Sequence, residues 1–77
     1  MTQQYQAKNQ LKEQLEKVNM RLQILDMIEN KLLKMRELAE RVVEEDLTEK
    51  EIENINKQVQ ELVAEVELLD SEPTELS

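Results

Sequence analysis

The chain has 77 residues, 10 Lys and Arg against 18 Asp and Glu, and a net charge of -8; Gly, Cys, His, Trp and Phe are absent, and Tyr5 is its one aromatic residue. That inventory fits one small domain and excludes Gly-rich phosphate loops, disulfides, Cys/His zinc sites and imidazole-assisted nucleophiles, each of which needs a missing residue type. The expected class is non-enzymatic, with no catalytic residue, no metal and no cofactor.

Helix formers dominate, and the one proline, Pro73, lies near the end, so nothing before residue 70 interrupts a helix. The fold class read from this is all-α. Helix 1 is expected over about residues 4–44. Its apolar positions Leu11, Leu15, Val18, Leu22 and Leu25 recur at alternating spacings of four and three, Ile28 comes one residue early, and Leu32, Met35, Ala39 and Val42 resume the rhythm. Read as one seam, the early step is a stammer, a local overwinding. Met20, Ile24, Met27, Arg36 and Leu38 lie outside that seam and read as a surface for a further partner, the methionines suiting an adaptable contact.

The segment Leu47-Thr48-Glu49-Lys50-Glu51-Ile52 carries a helix start. Thr48 is placed to accept from the Glu51 amide while the Glu51 side chain reaches back to the Thr48 amide, a capping box, and Leu47 and Ile52 stand at the two ends of a hydrophobic staple. The chain should therefore turn over residues 45–48. Helix 2 follows over about 49–70, with Ile52, Ile55, Val59, Leu62, Val66 and Leu69 as its seam. Pro73 and its polar neighbours end it, and residues 71–77 are expected to be a disordered tail.

Helix 1 spans about 60 Å and helix 2 about 33 Å at 1.5 Å per residue. A short turn between such unequal helices makes an antiparallel hairpin, with the first 20 or so residues projecting beyond it. Two helices without a disulfide or metal rarely make an independent domain, so association into a coiled coil or four-helix bundle is expected. The partner is the chain itself, as a dimer or higher, and/or another helical protein. Charge argues against others: residues 1–43 carry eight basic and six acidic side chains and residues 44–77 two and twelve, which leaves no basic face for nucleic acid or an anionic membrane. With a polar first segment and no apolar run of membrane length, a cytoplasmic location is expected, with export by a route needing no cleaved signal left open.

Within residues 25–69, Leu32-Leu33-Lys34-Met35-Arg36-Glu37-Leu38-Ala39, then Leu47-Thr48, then Ile55-Asn56-Lys57-Gln58-Val59-Gln60-Glu61-Leu62 resembles the amino-terminal conserved hairpin of bacterial flagellins. In that family a Met-Arg-Glu-Leu-Ala helix, a short loop and a helix of the form Ile-Gln-Lys-Glu-Ile-x-x-Leu-x-x-Glu-Ile follow one another at this spacing. The resemblance implies a small flagellin-like or flagellum-associated hairpin rather than a filament subunit, because the carboxy-terminal helices of a flagellin have no counterpart here and Glu44-Glu45-Asp46 replaces the small polar loop. It also maps to Arg36 the arginine that innate immune receptors meet on flagellin; an exposed helical Arg is ordinarily a solubilising or paired charge, and that role is not carried over. A weaker likeness is to the small sporulation-regulating phosphatases of aspartyl-phosphate response regulators, also helical hairpins. Their helix 2 signature Ser-Gln-Glu-Leu-Asp meets Asn56-Lys57-Gln58-Val59-Gln60 here, with Gln60 in place of the Asp central to activity. The corresponding alternative function is a phosphorelay regulator without the usual catalytic signature.

Overall fold

A computed structural model describes residues 2–71 of the chain as two helices, α1 (Thr2–Glu44) and α2 (Glu49–Asp70), joined by a four-residue turn and folded back on one another as a hairpin. The expected tail from residue 72 onward lies outside the described residues. The molecule is a rod of 70 × 18 × 12 Å. Its length is that of α1, whose 43 residues account for about 65 Å. Helix α2, with 22 residues, reaches about half as far.

The turn is held by bonds local in sequence. The Glu45 amide donates to the Arg41 carbonyl at 2.9 Å, extending the last turn of α1, and the Leu47 amide donates to the Glu45 carbonyl at 3.1 Å. Thr48 is extended (φ −71°, ψ 160°), and its hydroxyl oxygen accepts from the Glu51 amide at 3.2 Å. The return half of the box differs from the expected pattern. The Thr48 hydroxyl donates to the Glu51 carboxylate at 3.1 Å, so the carboxylate meets the hydroxyl rather than the backbone amide. Both halves therefore pass through one side-chain oxygen, acting as acceptor and donor at once, as a hydroxyl can. Glu49 and Glu51 add negative charge at the positive end of the α2 dipole.

At the other end Ser71 closes α2. Its amide donates to the Glu67 carbonyl at 3.1 Å and its hydroxyl to the Leu68 carbonyl at 2.9 Å. Ser71 is thus the last residue of the helix cap, where the sequence pattern assigns it to the tail.

Burial is sparse. Leu38 (2% exposed) and Ile55 (6%) are the two buried residues among those described, and around them Ile24, Ile28, Met35, Val59, Leu62, Val66 and Leu69 are half-buried. On α2 this is the expected seam, with one exception: Ile52, at 43% exposed, stands at the edge of it while Leu47, its staple partner, is half-buried. On α1 the hairpin row is a different one.

Candidate interaction surface

The row of α1 that meets α2 runs Ile24, Ile28, Lys31, Met35, Leu38, at spacings of four, three, four and three. It contains no stammer. The early step in the sequence pattern arises where two parallel rows are read as one: the seam from Leu11 to Leu25 lies on one face, and Ile28 and Met35 lie on the next. Ile24 and Leu38, which the sequence pattern assigns to a surface for another partner, are in the hairpin contact instead. Leu25 (46% exposed) and Leu32 (50%), assigned to the seam, face outward, as do Leu22 and Ala39, while Val42 stands at the rim.

Lys31 was the missing clue. A lysine in the apolar row makes the row hard to see in sequence, yet its ammonium emerges at the edge of the contact and donates to the Glu65 carboxylate of α2 at 2.6 Å. The stem covers apolar surface while the charge stays at the water boundary. This ion pair crosses the hairpin and fixes the register of one helix on the other. The pairs Lys34–Glu37, Arg36–Glu40 and Arg41–Glu45 are one-turn pairs along α1 and its end, and they leave the hairpin geometry untouched.

The two flanks of the hairpin differ. On one, Met27, Asn30, Lys31 and Lys34 of α1 border Leu62 of α2, a mixed and cationic surface. On the other, Ala39 and Val42 of α1 and Ile52, Ile55 and Val59 of α2 line an open groove that is almost wholly apolar, with Asn56 and Glu53 on its α2 rim. A small cleft at the far end of the hairpin is bordered by Ile24, Leu25, Ile28 and Leu69.

Beyond the hairpin, α1 continues without support. Leu11 (66% exposed), Leu15 (60%) and Val18 are exposed, as is every other residue of positions 3–19. With 3.5 residues per turn, Leu11, Val18, Leu25, Leu32 and Ala39 repeat every seven residues, and Leu15, Leu22 and Val43 fall beside them. The exposed residues of the projection and the exposed residues of the hairpin therefore form one stripe along α1, broken by Glu29 and Arg36. Met20 and Met27 lie on the side away from it and are also exposed.

Among the described residues there is no group of acidic, His or Cys side chains able to hold a metal ion. No helix of the described residues is long and apolar enough to cross a membrane. No protein-family model, no curated protein and no solved structure matches the chain.

Proposed function

We infer that the protein is a structural or protein-interaction hairpin, working through helix–helix contact rather than catalysis. The observation that carries this reading is the apolar stripe of α1, which runs from Leu11 to Val43, interrupted at Glu29 and Arg36, and is exposed along its course. A chain with two buried residues among those described does not hold such a surface out to water for stability's sake, since exposed apolar surfaces of this extent mark interaction sites. The partner is helical, a second copy or another chain, because a stripe with heptad spacing is complementary to another such stripe. The Met35-Arg36-Glu37-Leu38-Ala39 segment and its place before a short turn support a flagellin-like or flagellum-associated role for the hairpin.

Amide hydrogen exchange tests the interaction reading. Residues 3–19 have three apolar side chains on the stripe and cannot hold a stable helix unaided, so their amides should be protected only when the stripe is covered. Protection should rise with protein concentration or on adding the partner. A folded monomer whose residues 3–19 are protected at every concentration would overturn the reading.

A further inference from the structure

We propose that the partner of the exposed stripe is a second copy of this chain running antiparallel, so that the projecting half of each α1 lies along the stripe on the other copy's hairpin. This rests on the interaction reading above and adds to it the partner, the direction and the register. Three observations lead to it.

The first is length. Helix α2 lies against the second half of α1, leaving a projection about as long as α2 itself, some 20 residues or about 30 Å. If two α1 helices pair antiparallel about a two-fold axis between residues 23 and 24, residues 3–22 of each copy lie along residues 25–44 of the other. Each end of the assembly then contains three helices: the second half of one α1, its α2, and the projection from the other copy.

The second is the pattern along the stripe. In this register Leu22 meets Leu25 of the other copy on both sides of the axis, and Leu15 meets Leu32. Glu29 falls beside Val18 and Arg36 beside Leu11, where each charge can lean outward to water. A parallel pairing would instead stack Glu29 on its own copy and Arg36 on its own copy, and like charges in such layers are destabilising.

The third is charge and area. Residues 2–22 carry four basic and two acidic side chains, whereas α2 carries two and seven, so the projection is attracted to the α2 of the copy it lies against. The chain exposes 6881 Å², against roughly 4,900 Å² for a compact monomer of its mass. The excess, on the order of 2,000 Å² per chain, is the scale that an obligate dimer removes.

Disulfide trapping in the full-length chain tests the register, since the chain has no cysteine of its own. In the double variant Leu15→Cys/Leu32→Cys the two thiols sit 17 positions apart on one helix, about 25 Å, too far to bond within a chain. Mild oxidation should convert the double variant to a covalent dimer and leave each single variant monomeric on a non-reducing gel. Crosslinking of the single variants as readily as the double would show parallel pairing and overturn the proposal. A spin label on Lys12→Cys, an exposed position, reports without touching the stripe: antiparallel pairing separates the two labels by about 35 Å, whereas parallel pairing brings them within about 15 Å. A sedimenting dimer with neither the double-variant crosslink nor the long label distance also overturns the register, while the interaction reading stands. A folded monomer at tens of micromolar, with fast exchange over residues 3–19, overturns the second copy as partner and leaves the interaction reading in place.

Discussion

The two halves of α1 belong to one unbroken helix and share an apolar stripe, yet they sit in opposite circumstances. From Ile24 to Glu44 a second row on the same helix meets α2 and buries Leu38; from Thr2 to about Leu22 no second row exists, because Gln10, Gln14 and Arg21 occupy the positions equivalent to Ile24, Ile28 and Met35. The difference shows that helix and packing are separately encoded here. Propensity and the absence of glycine let the helix continue across the boundary, while the width of the apolar face decides how many neighbours each half takes.

The comparison is broken most directly by placing a charge in each half. Leu38→Asp puts a carboxylate at the one almost fully buried position and should cost several kcal/mol, enough to unfold the hairpin in a urea titration. Leu15→Asp, on the exposed projection, should leave the hairpin's circular dichroism in place and weaken association at least tenfold by sedimentation equilibrium. Equal loss of helicity in the two variants would mean that the halves fold as one unit and the contrast drawn here is wrong. Because association stabilises whatever it binds, both measurements belong at matched protein concentration.

A smaller effect is expected at the turn. Thr48→Ala removes the oxygen that serves both halves of the cap and should lower hairpin stability by about 0.5 to 2 kcal/mol, with no change in the affinity of the stripe once folding is saturated. Replacement by Ser should recover most of the loss, since it keeps the hydroxyl. The smallest is the cross-hairpin ion pair: a double-mutant cycle on Lys31→Ala and Glu65→Ala should give about 0.2 to 1 kcal/mol, diminished in high salt, because Glu65 is half exposed. A coupling well above that range would make the pair a main support of the hairpin rather than a register mark.

Much of this fold could be read from the residues, and the part that could not has a definite cause. The two helices, the turn and the α2 row are visible because their signals are local: composition, Thr48 and Glu51 three apart, and Ile55 through Leu69 at heptad spacing. Which row of α1 meets α2 is a long-range question. Leu25, Leu32 and Ala39 make a cleaner row than Ile24, Lys31 and Leu38, and only the approach of α2, with Glu65 waiting for Lys31, favours the second. The interaction surface follows from the same ambiguity: of the α1 seam read from the sequence, Ile28 and Met35 are in the contact while Leu22, Leu25, Leu32 and Ala39 are left open, and Ile24 and Leu38, read as a partner surface, are enclosed.

The continuity of α1 through residue 22 bears on how quickly a partner can be captured. Starting a helix is the slow, unfavourable step, since several residues must be ordered for the first hydrogen bond, whereas adding a residue to an existing end takes on the order of nanoseconds. The hairpin supplies that existing end. The projection can therefore melt back from its tip and regrow many times during a single encounter, and a useful fraction of molecules carries the contact surface ready-made at any instant. Because apparent affinity is the intrinsic affinity multiplied by the fraction of molecules already competent to bind, a helix seeded in this way gives up less of its intrinsic affinity than an unanchored 20-residue peptide of the same sequence would.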